Sequence, residues 1–571
     1  MTSDEPPATA HDRLLRHALD RPDAVALTCL DGIGEMELTY RQLLSLTQWF
    51  GRRLTALGVR PGERIVLVLP NDESFAVALL AAIGRGIVPV PAATPATTRS
   101  EGFARRLRGI AADCRPALVV TTAAWRGAVR EALGGLHVPG GVYPWPEPVG
   151  ADADPDSDST PAGEATCPPS PDAPAFLQYT SGSTGAPKGV VVSHRALRAS
   201  CAQAARVYRE GPADVAVTWV PLHHDMGLVT GLLRPLFSGY RSVLMAPEAF
   251  ARRPGAWLSA ITAHGGTLSS APDFAYAVCA RKVTDHELAA LDLRTWRVAR
   301  SAGEVVRAAT ADRFAARFTA AGLPPRSLCP SYGMAEATLT VTACTPERPP
   351  VRLAVRTDAL RAGEVVPAAP GERATVLLSS GTPLPGTELR VHGTPAGPDG
   401  GARVGDLAVR GPQLFSGYWP AAHRPTDWHP TGDRGFTHDG HLYVVGRSDD
   451  VLVHHGRNFY PADVLAVCED VPGLRPGRCA AVRVTDPAPD PDPAGDAVER
   501  VYLVAELADG PGTPPPAQVA ARVRRRLASA LDLYVAEVVL LPPGALPVTT
   551  SGKVRAGETR RRLARGTLPR L

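Results

Sequence analysis

Short apolar runs bounded by turn residues recur along the first half of the chain. "RIVLVLP" (64–70) and "PALVV" (116–120) read as buried strands. Residues 41–57 and 73–84 instead carry their apolar positions at helical spacing. This alternation predicts βαβ units and an α/β fold. After residue 400 the pattern changes to short alternating strands, as in "HLYVVGR" (441–447). The last segment predicts helices around 461–468 and 516–531 and strands near 479–484 and 500–507. Two stretches, the Pro-, Asp- and Ser-rich residues 146–174 and the acidic, proline-rich residues 485–496, have no apolar period. Both read as loops, the first a disordered surface loop.

With 571 residues the chain exceeds what one hydrophobic core supports. The pattern divides it into a large N-terminal domain, 1–446, of α/β subdomains with a β-rich subdomain, and a small α+β domain, 447–571. A net charge of +4, from 61 basic and 57 acidic residues, is too balanced to argue for nucleic acid. No run approaches the roughly 18 apolar residues of a membrane span, and "MTSDEPPATAHD" does not read as a signal peptide. The nine cysteines show no C-x-x-C pair, which suits reduced thiols and a cytoplasmic location. Lysine occurs only at Lys188, Lys282 and Lys553, arginine supplying every other basic side chain. A lysine kept against that bias points to a need for a compact ammonium that a planar guanidinium cannot replace.

Two of those lysines close hydroxyl- and glycine-bearing loops, "YTSGSTGAPKG" (179–189) and "TTSGK" (549–553). The first is not a Walker loop. Pro187 stands where the second glycine belongs, with no N–H for a phosphate, and Gly189 follows Lys188 where a metal-binding hydroxyl belongs. "PLHHDMGL" (221–228) lacks the i, i+4 spacing of a helical zinc pair and reads as a loop lining a pocket. "SYGMAEATL" (331–339) places Glu336 after a glycine turn, and "TGDRGF" (431–436) places Asp433 in a tight turn.

In this order, the set resembles the adenylate-forming superfamily of acyl-CoA synthetases, peptide-synthetase adenylation domains and luciferases, over about residues 13–563. "FLQYTSGSTGAPKGVVVSH", "PLHHDMGL", "APDFAYAVCARKV", "LDLRTWRVA", "SYGMAEATL" and "GRNFYPADV" resemble its fatty acyl-AMP ligase branch. The family's Asn-Gly-Ala-Glu-Pro stands here as Ser301-Ala302-Gly303-Glu304-Val305, and Ser448-Asp449-Asp450 is closer to the CoA ligases.

The resemblance implies that a fatty acid or related carboxylate is joined to ATP as acyl-AMP, with release of pyrophosphate. The acyl group would then pass to the phosphopantetheine thiol of an acyl carrier protein or of a polyketide or peptide synthetase. Thr180, Ser181, Gly182, Ser183, Thr184, Gly185 and Lys188 would hold the departing phosphates. Glu336 would bind Mg²⁺, Asp433 and Arg447 the ribose, and Gly303, Glu304, Ser331, Tyr332 and Gly333 would flank adenine. His224, Asp225, Met226 and Gly227 would line the substrate pocket, Asp449 would be the hinge, and Lys553 the catalytic lysine. Residues 351–381 resemble the insertion that separates acyl-AMP ligases from CoA ligases. The alternatives are an acyl-CoA synthetase using free CoA and a silent nucleotide-binding or carrier-docking protein.

Overall fold

The protein's computed structural model describes residues 9–30, 34–96, 100–146, 170–180, 187–392, 402–421, 427–454, 457–486, 498–510, 512–549 and 553–571. Nearly all of the two expected loops, 146–174 and 485–496, lies outside the described residues. The chain forms two compact units. The first comprises Met1–Pro350, Ser380–Glu388 and Val409–His429, the second Val351–Ser379, Leu389–Ala408 and Pro430–Leu571.

The first unit is built on a nine-stranded sheet. Its six central strands are parallel: Leu328–Gly333, Val298–Ser301, Leu268–Ala271, Val215–Thr218, Arg241–Met245 and Val25–Leu30, in that order. Antiparallel strands close both edges, Thr340–Ala343 with Thr382–Pro383 on one side and Glu35–Thr39 on the other. A second, four-stranded parallel sheet holds Val88–Pro91, Arg64–Val68, Leu118–Thr121 and Val142–Pro144. The two apolar runs read from the sequence lie at its centre, where Ile65 to Val68 and Leu118 to Val120 are fully buried.

Local chemistry sets the helices. Tyr40–Ala56 begins at a Thr39–Gln42 capping box, which satisfies two backbone donors of the first turn. Glu73–Gly84 begins where the Asp72 carboxylate accepts from the Ser74 N–H. It is apolar all round, and every residue from Ser74 to Ile83 is buried, as expected of a helix inside a core rather than on its surface.

In the second unit Leu474–Asp486, Val498–Leu507 and Glu537–Leu541 form one sheet, with Pro461–Cys468 and Pro516–Leu531 packed on one face. Pro516–Leu531 buries Val519, Val523, Leu527 and Leu531, a four-residue repeat, and exposes Arg524, Arg525 and Arg526. Residues 351–379 are folded in themselves: Arg352–Arg356 pairs antiparallel with Ala374–Leu378. Val355, Leu360 and Val365 pack with Phe436, Tyr443, Val445, Val451 and Tyr460. Among the described residues no helix is long and apolar enough to cross a membrane.

Leu79, fully buried in Glu73–Gly84, gives a direct check on this core. Leu79→Ala is expected to destabilise the protein by about 2–5 kcal/mol through lost burial and a residual cavity. Leu19→Ala, at a side chain 71% exposed, is expected to stay within about 0.5 kcal/mol. Denaturant midpoints of the two variants measure the difference.

Candidate active site

The opening loop leaves and rejoins a β-hairpin. Strands Pro174–Thr180 and Lys188–Ser193 pair antiparallel, and Thr180 and Lys188 are register partners at the open end. Ser181, Gly182, Ser183, Thr184 and Gly185 lie outside the described residues. Residues 416–419 run beside the second strand as a third, with Val191 N donating to Gly417 O at 3.0 Å and Trp419 N to Gly189 O at 2.8 Å. This brings Tyr418 to the lysine. The Lys188 ammonium sits 5.3 Å from the Tyr418 ring centroid, a cation–π contact. The Tyr418 hydroxyl donates to Glu336 Oε1 at 2.7 Å. Lys188 and Glu336, 148 residues apart in the chain, are therefore joined through one tyrosine.

The turn that presents Glu336 is tightly made. The strand Leu328–Gly333 ends at a glycine whose added Cβ would lie 1.7 Å from Leu339 O, so no side chain fits there. Glu336 follows in a single 3₁₀ turn, Ala335–Ala337. Thr338 then adopts a left-handed φ of 59°, costly for a β-branched residue. Its hydroxyl donates to Gln413 O at 2.8 Å, and Phe415 N donates to Glu336 O at 2.8 Å. His429 lies close enough for the Glu336 carboxylate to raise its pKa, but burial lowers it more.

Ser331, on that same strand, and Ser301, ending the adjacent one, are 2% and 4% exposed, and among the described residues neither hydroxyl has a hydrogen-bond partner. Buried hydroxyls without partners are uncommon in native proteins. Both stand near the carboxyl ends of neighbouring parallel strands, the edge at which α/β sheets bind ligands. Tyr332 is buried beside Ser331. Gly303 takes a φ of 78°, and the Glu304 carboxylate accepts from Phe274 N at 3.1 Å.

The "PLHHDMGL" stretch is pinned from both sides. Buried Asn71 donates to Val220 O and accepts from Leu222 N, and Gln178, on the hairpin, donates to His223 O at 2.9 Å. The two histidines diverge. His223 is buried, which drives its pKa well down, so it is neutral near pH 7. His224 caps the helix Asp225–Leu228, accepting from Met226 N, and its Nδ1 lies 2.6 Å from Asp225 Oδ1. Met226 is buried, and Gly227 sits so close to Pro221 O that a Cβ would meet it at 2.2 Å.

The remaining candidates belong to the second unit. Asp433 and Arg447 are register partners across His429–His438 and His441–Arg447, with Arg447 Nε 3.8 Å from Asp433 Oδ1. Asp433 therefore lies within a strand, not in the tight turn that "TGDRGF" suggested. The glycine signal marks a kink instead, with Gly432 at φ 73° and a register shift at Arg434 and Gly435. Asp449 is exposed in the 3₁₀ turn Ser448–Asp450, which Ser448 fastens to Asp406 Oδ1 at 2.7 Å. Burial raises the pKa of neighbouring Asp450, against the pull of Arg447 and Arg560. Lys553 follows residues 550–552, which lie outside the described residues. Its N–H donates to Thr549 Oγ1 at 3.0 Å, and a bridge between Val548 and Val554 closes the loop.

Sequence reasoning missed Tyr418, Thr338 and Asn71. Each acts through a partner more than 70 residues away, and nothing in "FSGYWP" or "LPNDES" signals such a contact.

Comparison with known proteins places this geometry. Residues 14–419 match the family model of AMP-binding enzymes. The long-chain-fatty-acid–AMP ligase FadD26 of Mycobacterium marinum is 34% identical over 577 residues, 95% of each chain. A solved structure from a study of fatty acyl-adenylate ligases of E. coli and L. pneumophila has a TM-score of 0.87 and 30% identity, covering 99% of this chain and 98% of that one. The L. pneumophila fatty acyl-adenylate ligase in complex with acyl adenylate and pyrophosphate has a TM-score of 0.71 and 27% identity, covering 98% of this chain and 96% of that one. A hairpin closing on Lys188, a braced glutamate and ligand-ready strand ends recur in company with whole-length likeness: the chain belongs to the family of AMP-binding enzymes, on its fatty acyl-AMP ligase branch.

Proposed function

We propose that this ATP-dependent acid–AMP ligase activates a fatty acid or related carboxylate and then passes the acyl group to the phosphopantetheine thiol of an acyl carrier protein, in the cytoplasm. A carboxylate oxygen attacks the α-phosphorus of ATP, and the bond to the β-phosphate oxygen breaks, giving acyl-AMP and pyrophosphate. The thiol then attacks the acyl carbonyl, and AMP leaves with the former carboxylate oxygen. The observation that carries this reading is Lys188 stacked on Tyr418 with Glu336 on its hydroxyl. Cation and carboxylate stand together without neutralising each other directly, available to phosphate and to a metal respectively.

Charge builds on the phosphates in the first step, so catalysis is largely positioning and electrostatic stabilisation. Thr180, Ser181, Gly182, Ser183, Thr184, Gly185 and Lys188 hold the leaving pyrophosphate. Gly303, Glu304, Ser331, Tyr332 and Gly333 flank adenine, Asp433 and Arg447 bind the ribose, and His224, Asp225, Met226 and Gly227 line the acyl pocket. Among the described residues no cluster of three His, Cys, Asp or Glu could hold a metal. Mg²⁺ needs none, since it is usually bound by one or two carboxylates together with substrate phosphates. Half-buried Glu336, a hard oxygen donor held by one hydrogen bond, fits that role. When bound, Mg²⁺ would neutralise charge on the phosphates.

The second step needs a different nucleophile at the same acyl centre, so residues 447–571 turn about Asp449 between steps, withdrawing Lys553. Residues 351–381 favour a carrier-bound thiol over free CoA. Within the second unit this segment meets "GRNFY": Asn458 donates to Arg361 O at 3.1 Å, and the Arg361 guanidinium lies 4.8 Å from the Phe459 ring centroid. Exposed Arg524, Arg525 and Arg526 offer an acidic carrier a docking face.

The reading is tested by pyrophosphate release across a panel of carboxylic acids, followed by mass analysis of holo-carrier and of free CoA. Acid-dependent release and an acylated carrier are expected. Robust acyl-CoA formation with an acid the enzyme readily adenylates would make it a CoA ligase instead.

The two half-reactions should separate by mutation. Lys553→Ala is expected to lose acid-dependent pyrophosphate release by ~100- to 1000-fold, the usual loss when one electrostatic donor to a transition state is removed. Given preformed acyl-AMP, it should still load the carrier. Asp449→Pro, by fixing the backbone at the hinge, should slow loading more than adenylation. Wild-type pyrophosphate release by Lys553→Ala, or equal effects of Asp449→Pro on both steps, would contradict these assignments.

A further inference from the structure

Gln178 ties the hairpin that carries Lys188 to the stretch that carries His224. It lies on the strand Pro174–Thr180 and is 3% exposed. Its register partner is Val190, as that of Thr180 is Lys188. Side chains two positions apart on a strand share a face, and directly paired residues do too. Gln178 therefore stands on the face of the hairpin that bears Thr180 and Lys188. From there its Nε2 donates to His223 O at 2.9 Å. That carbonyl belongs to the peptide joining His223 to His224.

The stretch has little freedom to absorb a displacement of that peptide. Asn71, 8% exposed, donates through Nδ2 to Val220 O at 3.0 Å and to Met245 O at 3.2 Å, and accepts from Leu222 N at 2.9 Å. His224 N donates to Pro221 O at 2.9 Å. A Cβ on Gly227 would meet Val220 O at 2.5 Å, so the helix Asp225–Leu228 lies directly against this backbone. Asn71 thus fixes one end of the stretch to the sheet, where Met245 ends the strand Arg241–Met245. Gln178 fixes the other end to the hairpin.

Stability alone explains Gln178 poorly. Its Oε1 is buried and, among the described residues, has no hydrogen-bond partner. An amide that leaves its acceptor unpaired in the interior gives back much of what its donor gains. What the side chain does supply is a link between two separate backbone segments, so that the position of one depends on the other.

We propose that Gln178 is a positioning residue that couples the two substrates: when the hairpin takes up phosphate, Gln178 carries the adjustment to the His223–His224 peptide and so sets the wall that receives the acid. This rests on the reading above, in which the hairpin loop holds the phosphates and His224 to Gly227 line the acyl pocket. ATP then tightens acid binding, and the acid tightens ATP binding by the same factor, because linkage is reciprocal.

The test uses α,β-methylene-ATP with Mg²⁺, whose bridging carbon prevents release of pyrophosphate. Its dissociation constant is measured by titration calorimetry with and without a saturating fatty acid that the enzyme adenylates. In the wild type the acid is expected to tighten the analogue by about 5- to 150-fold, the usual range for two coupled sites. Gln178→Met keeps the length of the side chain and removes the donor, and is expected to erase that factor. Gln178→Glu is a second way to the same result, since an ionised carboxylate has no proton to give His223 O. The factor is a ratio taken within one protein, so a general loss of affinity or stability does not move it. The wild-type titrations stand even if a variant fails to fold. Independent binding of acid and analogue in the wild type overturns the proposal, and so does full coupling in folded Gln178→Met or Gln178→Glu. If no fatty acid releases pyrophosphate from ATP, it is the adenylation reading that fails, and the coupling proposal falls with it.

Discussion

Tyr418 is the joint that holds Lys188 and Glu336 near each other within the first unit. Its ring takes the Lys188 ammonium and its hydroxyl takes Glu336, so the ends of two separate motifs are held by one side chain. The backbone around it does the same work at larger scale, since residues 416–419 lie along the hairpin and Phe415 bonds to the glutamate turn. A salt bridge between lysine and glutamate would satisfy both and leave neither for substrate. Interposing a tyrosine holds both near each other at the modest strength of a cation–π contact and one charge-assisted hydrogen bond.

The same economy of polar groups recurs beneath the site. Ser301 ends one buried strand and Ser331 lies near the end of the next, and among the described residues neither hydroxyl has a hydrogen-bond partner. Each lowers stability in the isolated protein. Both stand near the carboxyl edge of one parallel sheet, the edge at which α/β folds bind ligands.

Much of this was legible in the chain. The strands at 64–68 and 118–121 and the helices at 40–56 and 73–84 follow from apolar runs and caps that are local, and local signals survive folding. The family resemblance rested on motifs that are themselves local loops. The strand Glu537–Leu541 and the helix Ala556–Ala564 escaped because short elements completing a sheet or packing at its end carry little periodicity of their own. Asp433 misled because a glycine pair reads as a turn when it marks a kinked strand. Tyr418, Thr338 and Asn71 could not have been found, since their roles consist of contacts that only the fold creates.

The central claim is that the carboxylate attacks the α-phosphorus of ATP, and isotope labelling tests it most directly. The protein would be supplied with ATP, holo-carrier and an acid whose carboxyl oxygens are both ¹⁸O. Attack at the α-phosphorus, then cleavage at the acyl carbon by the thiol, must leave a single labelled oxygen in the AMP released. Singly labelled AMP beside unlabelled pyrophosphate is the expected result. ADP with labelled phosphate, or AMP without label, would contradict acyl-adenylate chemistry in this protein.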